Sequence, residues 1–271
     1  MVDRMRSRRL LYGWVNKIRS VRNQEIGHQV RDALNVCPDP VPCFVICYNN
    51  AKHVESMVSQ LNRLGITPLI FDNGSTCTST ISLLRSIKPE QGSVIWVRRN
   101  LRHKVGFLPG IYEYMPKVFA YTDPDLQFNP RIPTGFIQTL TELTREYDVF
   151  KAGLALALEP LDLDRQLRFE KFSSGSIPFQ ASYSISEWET KFWRFKLQRQ
   201  DDLEVYAAPL DTTFAVYNKS NYKGMFLDAV RLAGDFSVIH LPWYPNLDNM
   251  DPSDRANYLK GNKSSTWLPI G

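Results

Sequence analysis

The sequence has no uninterrupted apolar run of about 18 residues, the length that a membrane-spanning helix requires. Its N-terminus is basic but lacks the apolar core of a secretory signal, so we expect no signal peptide. The four cysteines lack the spacing of a metal site. Two of them, Cys43 and Cys47, lie in an apolar run, where thiols pack as small hydrophobic groups. These absences favour a globular protein of a reducing cytoplasm.

Positive charge is concentrated at the N-terminus. Residues 1–22 contain seven basic residues and one acidic residue, so they supply +6 and the rest of the chain −1 of the net charge of +5. A nearly neutral body argues against a broad nucleic-acid-binding face. Apolar residues recur at helical spacing in this segment: Leu10, Leu11, Trp14, Val15 and Ile18. Such a helix either lies on an anionic membrane surface or packs against the protein body.

Two aspartates one residue apart, Asp123 and Asp125, follow the apolar run 118–122 at the centre of the chain. Pro124 donates no backbone hydrogen bond and restricts Asp123 to extended conformations, so both acids should lie at or just beyond the end of a buried strand. Two like charges this close repel unless a cation lies between them, and Mg²⁺ or Mn²⁺ suits oxygen ligands. An ordinary turn capped by aspartate is the alternative.

Strand-like and helix-like segments alternate through the first half of the chain. The predicted strands are 43–50, 68–71, 93–97 and 118–122, and the predicted helices are 51–64, 77–88 and 134–147. This order predicts a parallel sheet covered by helices on both faces, and ligands bind such sheets at the carboxyl ends of the strands. Six polar residues lie at or just beyond the carboxyl ends of these strands: Tyr48, Asn49, Asp72, Asn73, Asp123 and Asp125. We therefore expect them to share one site.

The second half is less regular. A further strand is expected within 148–158, a loop at 172–178, and a strand or hairpin over 206–218. The aromatic residues of 183–197 suit either sugar stacking or an ordinary packed helix. Asp211 lies among apolar and hydroxyl neighbours. If it is buried, its pKa would rise toward the range of a general base, and a hydrogen-bonded structural role is the alternative.

A strand over 236–240 ends at His240, which either folds back to a metal or is satisfied structurally. The final 25 or so residues are polar and suggest a mobile surface tail or a lid. Together these patterns predict four segments: a basic helical segment (1–36), a donor-binding half (37–150), an acceptor and catalytic half (151–250) and a polar C-terminal tail or lid (251–271).

Three elements give the chain a likeness to a known family. They are the strand and its polar end at 45–49, the Asp-Asn-Gly-Ser run at 72–75, and the Asp-Pro-Asp run at 123–125. Over roughly residues 40–130 the chain resembles a nucleotide-sugar glycosyltransferase of the GT-A fold, nearest to family 2-like bacterial enzymes. The resemblance implies an α/β fold with a mainly parallel, Rossmann-like sheet and a smaller mixed C-terminal acceptor region.

The resemblance also implies roles for individual residues. Tyr48, Asn49, Asp72 and Asn73 would contact the nucleoside of a nucleotide-diphosphate sugar. Asp123 would contact ribose or metal. Asp125 and His240 would hold Mn²⁺ or Mg²⁺, which neutralises the leaving diphosphate. Asp211 would deprotonate the acceptor hydroxyl in an inverting transfer of a hexose or deoxyhexose to a glycan or lipid-linked acceptor.

The sequence departs from the family at one point. The acidic pair that often marks the family 2 base is replaced by Leu210-Asp211, which leaves the base and the stereochemistry open. The basic residues before the central strand, Arg98, Arg99, Arg102 and Lys104, either contact phosphate or form an exposed loop. With a lipid-linked acceptor, the basic N-terminal segment would hold the enzyme at the inner membrane face.

Two other functions compete with sugar transfer. A sugar nucleotidyltransferase also begins with a nucleotide-binding sheet, but it needs a glycine-rich loop after the first strand, and residues 48–51 contain no glycine. A catalytically inactive nucleotide-binding protein or membrane-surface adaptor on the same fold is the remaining alternative.

Overall fold

The computed structural model describes residues 21, 23–158, 166–174, 177–244, 250–261 and 267–269, with the backbone alone for 166–174, 177–182, 261 and 267–269. The helices are α1 (residues 23–36), α2 (Ala51–Arg63), α3 (Thr78–Ser86), α4 (Phe136–Glu146), α5 (Ile185–Glu189) and α6 (Pro252–Gly261). The amphipathic helix expected at 1–22 lies outside the described residues, apart from Val21.

The strands are β1 (Cys43–Cys47), β2 (Leu69–Asn73), β3 (Ser93–Val97), β4 (Val118–Thr122), β5 (Leu126–Phe128), β6 (Lys151–Leu154), β7 (Gln166–Ser174), β8 (Ile177–Ser184), β9 (Val205–Ala207), β10 (Ala215–Asn218), β11 (Ala229–Leu232), β12 (Val238–His240) and β13 (Trp267–Pro269). Eight of them form one sheet in the order β3-β2-β1-β4-β10-β6-β11-β9. Two smaller sheets pair β12 with β5, and β13 and β8 with β7.

Six strands of the large sheet run in one direction, while β10 and β9 run against them. The prediction of an α/β protein with a mainly parallel sheet is confirmed at this level. Strands from both sides of residue 150 share the sheet, so the proposed donor and acceptor halves have a common scaffold. None of the described helices is long and apolar enough to cross a membrane.

Strand β1 lies at the middle of the parallel part, and all five of its residues are buried. Cys43, Val45 and Cys47 face a core that includes α2 and α4, whereas Phe44 and Ile46 face a core that includes α1. A strand buried on both faces needs apolar residues at successive positions, which explains the unbroken apolar run. Helices therefore cover both faces of the sheet, as predicted.

Helix α2 follows its sequence pattern closely. Val54, Met57 and Leu61 are fully buried at helical spacing, and the chain leaves the helix through Gly65 at φ +76°. Glycine adopts this left-handed conformation without the steric cost that a Cβ imposes. The predicted helix and its stop are both confirmed.

One prediction in the second half is wrong, and another is confirmed in part. Residues 172–174 and 177–178, expected to be part of a loop, lie in the paired strands β7 and β8, in which Phe172 pairs with Phe179. Pairing with a neighbouring strand overrides the weak β propensity of Pro178, which pairs with Ser173. Residues 206–218 contain strand residues, as expected, but they do not form a hairpin, because β9 pairs with β11 whereas β10 pairs with β4 and β6.

The β3 edge of the sheet is covered by a side chain rather than a strand. Gln29 of α1 accepts a hydrogen bond from the Trp96 backbone N–H at 2.9 Å and donates one to the Trp96 carbonyl at 3.3 Å. The amide therefore copies the pairing of a missing neighbour, which removes a template for edge-to-edge association.

The segment expected to be a polar tail or lid contains α6 and β13. Asp254 of α6 is buried and accepts hydrogen bonds from the Ser79 hydroxyl at 2.9 and 2.8 Å. Because Ser79 belongs to the first turn of α3, a negative carboxylate lies at the positive end of that helix. This contact attaches α6 to the parallel half of the fold.

Candidate functional site

The carboxyl ends of β1 and β2 are tied together by Asn49. Its Oδ1 accepts hydrogen bonds from the backbone of Thr76 and Cys77 at 2.7 and 2.9 Å, and its Nδ2 donates to the Thr76 hydroxyl at 3.2 Å. Its backbone N–H donates to Ser75 Oγ at 3.0 Å, and its φ is +49°. The buried amide is thus engaged by the chain itself.

Asp72 and Asn73 end β2 and are also buried. Asp72 Oδ1 accepts from the Ser75 backbone N–H at 3.0 Å, and burial raises the pKa of Asp72. Asn73 accepts from the Leu101 backbone at 2.7 Å and donates to the Arg102 carbonyl at 3.0 Å. Asn73 therefore fixes the loop that follows β3. Roles of these residues in nucleoside binding stay predictions.

Asp123 lies one residue beyond β4, as its position before Pro124 predicts. Its Oδ2 accepts a hydrogen bond from Thr212 Oγ1 at 2.7 Å, which connects the β4 end to the segment before β10. Burial and the nearby Asp125 charge raise the pKa of Asp123 well above its ordinary value, although the Thr212 bond opposes them. A cation at this position would offset that cost.

Asp125 meets His240 because β5 and β12 pair with Leu126 opposite His240. Asp125 Oδ2 lies 3.4 Å from His240 Nε2, and the Asp125 carbonyl accepts from the Leu241 N–H at 2.9 Å. Burial opposes the charge of Asp125, but His240 and His53 outweigh it and lower the pKa of Asp125. Asp125 Oδ1 and His240 Nδ1 are buried without a hydrogen-bond partner among the described residues.

The side chain of Asp211 is 56% exposed, so burial does not prepare it as a base. Its carboxylate is paired with Lys104 Nζ at 2.9 Å and lies 3.8 Å from His103 Nε2. Burial lowers the pKa of His103, with an opposing effect from Asp211. Of the predicted basic loop, Lys104 thus reaches the site, whereas Arg98 is exposed beside Glu25 at 3.5 Å.

Two buried basic side chains, those of Lys151 and Arg231, donate hydrogen bonds to backbone carbonyls of residues 209–211. Lys151 Nζ donates to the Asp211 carbonyl at 2.9 Å, and burial lowers the pKa of Lys151 to about 7. Arg231 donates to the Pro209 carbonyl from Nε at 3.0 Å and from Nη2 at 2.7 Å. Arg231 also pairs with buried Glu189, whose pKa burial raises to about 7. None of Lys151, Arg231 or Glu189 was predicted as a site residue.

Asp125 and His240 would supply one carboxylate and one imidazole donor to a metal site, and the remaining ligands would have to come from elsewhere. Among the described residues, no group of three or more His, Cys, Asp and Glu side chains is arranged to hold a metal ion by itself. Asp125 and His240 offer two donors, each with an unpartnered atom. Mg²⁺ is commonly bound by one or two carboxylates plus water and phosphate oxygens, so a two-donor arrangement suits a metal–diphosphate complex.

The structure brings together several of the predicted site residues at one end of the sheet: Asp123, Asp125 and His240 on one side, and Asn49, Asp72 and Asn73 on the other. Tyr48 is half-buried at the end of β1. The aromatic residues of 183–197 do not form one helix, since α5 ends at Glu189 and a 3₁₀ turn follows. Trp193 packs on Tyr206 with ring centroids 5.1 Å apart.

The chain matches no protein-family model, and no curated protein matches it significantly.

Proposed function

We propose that the protein is a metal-dependent glycosyltransferase that moves a sugar from a nucleotide-diphosphate donor to a hydroxyl of a glycan or lipid-linked acceptor. The observation that carries this proposal is the meeting of Asp125 and His240 beside Asp123. These donors come from distant parts of the chain and lie at the carboxyl end of the sheet, where α/β folds bind ligands. The seven basic residues within 1–22 favour binding of the protein to an anionic membrane surface.

Mn²⁺ or Mg²⁺ would be held by Asp125 and His240, with Asp123 adjacent. The bound cation supplies charge neutralisation for the diphosphate as it leaves the sugar. A bound cation would offset two features that are unfavourable in the folded protein without it. One is the pair of neighbouring carboxylates, and the other is the buried polar atoms of Asp125 and His240 that have no partner among the described residues.

The acceptor reaction needs a base near the donor. In an inverting transfer, the acceptor oxygen bonds to the anomeric carbon, the bond from that carbon to the diphosphate oxygen breaks, and the acceptor proton goes to the base. Asp211 is our candidate, because its exposed carboxylate lies in the segment that Thr212 connects to Asp123. To act, Asp211 must give up its ion pair with Lys104, which is then free to approach the diphosphate.

Nucleoside recognition is assigned to the ends of β1 and β2. Asp72 has one carboxylate oxygen held by Ser75, and half-buried Tyr48 directly follows Cys47, the residue that pairs with Asp72 in the sheet. The hydrogen bonds of Asn49 and Asn73 give this surface a fixed shape. Rigid positioning of this kind lowers the entropy cost of binding.

The test is binding of UDP, GDP, ADP, CDP and dTDP by isothermal titration calorimetry, with and without Mn²⁺. We expect Mn²⁺-dependent binding of at least one of them and its loss in Asp125→Ala. Asp148→Asn is the control, because Asp148 is an exposed acid paired with Lys223 and asparagine tolerates its φ of +49°, and we expect this variant to bind normally. If no nucleoside diphosphate binds in a metal-dependent manner, the proposal is wrong.

A further inference from the structure

The segment that carries Asp211 and Thr212 is held through its carbonyl groups. Lys151, the first residue of β6, donates to the Asp211 carbonyl at 2.9 Å, and the Tyr217 hydroxyl donates to the same oxygen at 3.1 Å. Arg231 of β11 holds the Pro209 carbonyl two residues earlier. Since these contacts are made to the backbone, they fix the course of the segment and leave the Asp211 carboxylate available.

The two cations differ in how their charge is balanced. Arg231 pairs with Glu189, whereas no ion pair between Lys151 and a carboxylate is found among the described residues. Lys151 Nζ instead lies 3.9 Å from the ring centroid of Phe226, and its side chain is fully buried. Burying an amine costs stability that a methionine of similar length would not cost. A role in holding the segment accounts for a lysine at this place.

Lys151 contacts the peptide group between Asp211 and Thr212, and Thr212 in turn contacts Asp123. Thr212 follows the carbonyl that Lys151 holds, and its hydroxyl donates to Asp123 Oδ2 at 2.7 Å. We propose that Lys151 is a positioning residue: by holding the Asp211 carbonyl, it sets the direction of the Thr212 hydroxyl and, through it, the orientation of the Asp123 carboxylate. The step from Asp123 to a bound metal–diphosphate rests on the proposed function, whereas the holding of the 211–212 backbone does not.

The chain contains a matched control for this lysine. Lys219 Nζ donates to the carbonyls of Tyr112 and Met115 at 2.8 and 2.9 Å and lies 4.3 Å from the Tyr112 ring centroid. Its interactions are thus of the same kind, but Lys219 follows the end of β10 that is opposite to Asp211. Lys219→Met removes a similar set of contacts without touching the 211–212 segment.

The first arm of the test is hydrogen exchange by mass spectrometry on peptides that cover 208–214. We expect exchange there to be about ten times faster in Lys151→Met than in the wild type, and unchanged in Lys219→Met, because the loss of an ordering contact raises local opening. Tyr217→Phe removes the other donor to the same carbonyl and should show a smaller effect. Lys151→Leu serves if Lys151→Met does not fold, and unchanged exchange in the folded Lys151 variant overturns the inference.

The second arm is a double-mutant cycle on the affinity for a nucleoside diphosphate with Mn²⁺. Lys151→Met and Thr212→Val should each weaken binding about 3- to 10-fold, the size expected for one hydrogen bond, and the double variant should bind like Thr212→Val alone. Losses that multiply would show that Lys151 does not act through Thr212, and they overturn the inference. A wild type that binds no nucleoside diphosphate overturns the proposed function and the metal step, while the exchange arm still decides whether Lys151 holds the segment.

Discussion

The two sides of the candidate site treat their polar side chains differently. At the ends of β1 and β2, Asn49 and Asn73 are buried and fully engaged with backbone groups of the neighbouring loops. At the end of β4, Asp123 has a neighbouring carboxylate, and Asp125 and His240 each keep a buried atom without a partner among the described residues. The side-chain amides of Asn49 and Asn73 thus have hydrogen-bond partners within the chain, whereas Asp123, Asp125 and His240 include a close carboxylate pair and unpaired buried atoms.

This difference distinguishes residues that stabilise the fold from candidate ligand-binding residues, although the two kinds look alike in the sequence. Asn49 and Asp125 both follow a strand and are both polar. Hydrogen bonds to the backbone lower the free energy of the folded state, whereas unpaired buried groups raise it. Substitutions of Asn49 or Asn73 should therefore destabilise the protein, whereas substitution of Asp123, whose pKa is raised, should leave it as stable or make it more stable.

The largest expected effect is on the first side. Asn49→Ala removes three side-chain hydrogen bonds and leaves the N–H groups of Thr76 and Cys77 unpaired, so we expect the free energy of unfolding to fall by about 3 kcal/mol. Urea unfolding at pH 7 measures this. Asn49→Asp keeps the acceptor oxygen and should lose less than half as much. A loss below about 1 kcal/mol in Asn49→Ala would contradict the scaffold role.

The second expected effect is a difference between Lys151→Met and the wild type in how stability changes with pH. Its pKa is about 7 in the folded protein against an ordinary 10.5, so between these values the unfolded chain binds a proton that the folded protein does not. Stability from this group therefore rises with pH, by at most about 1.4 kcal/mol per pH unit. We expect Lys151→Met to lack this rise in urea unfolding at pH 7, 8 and 9, and Lys223→Met, at an exposed lysine, to keep it. Equal slopes in all three proteins would count against the buried charge.

The smallest expected effect is an increase in stability, in the variant Asp123→Asn. Asp123→Asn removes one of two neighbouring negative charges and keeps an acceptor for the Thr212 hydroxyl, so we expect an increase of about 1 kcal/mol in unfolding free energy at pH 7. Thermal unfolding of Asp123→Asn, with Asp148→Asn as the exposed control, measures it. A clear destabilisation would show that Asp123 belongs to the scaffold.

The sequence predicted the parallel half of the fold well, for a physical reason. Strands buried on both faces read as unbroken apolar runs, and α2 carries the spacing of a one-sided helix, so each element is visible on its own. The pairing of β7 with β8 and the separate partners of β9 and β10 were not predicted, because they depend on residues that local sequence does not identify.

The candidate site was partly visible for the same reason. Asp123 and Asp125 follow a recognisable strand, and His240 ends a predicted strand, but its distance to Asp125 depends on the pairing of β5 with β12. Lys151 lies in the region 148–158 that is predicted to contain a strand, and this position alone does not mark it as a site residue. A single lysine at the start of a buried strand was the available signal.

The reversed direction of β10 has a consequence for how this protein can change. Its first residue, Ala215, pairs with Tyr121 near the end of β4, so the chain reaches the carboxyl end of the parallel strands just before entering the sheet. The preceding segment is tied to the interior by buried Leu210 and Phe214, so a change in its length would disturb the ladder from Ala215 to Asn218. Only its exposed side chains, such as that of Asp211, can therefore change without rebuilding the interior.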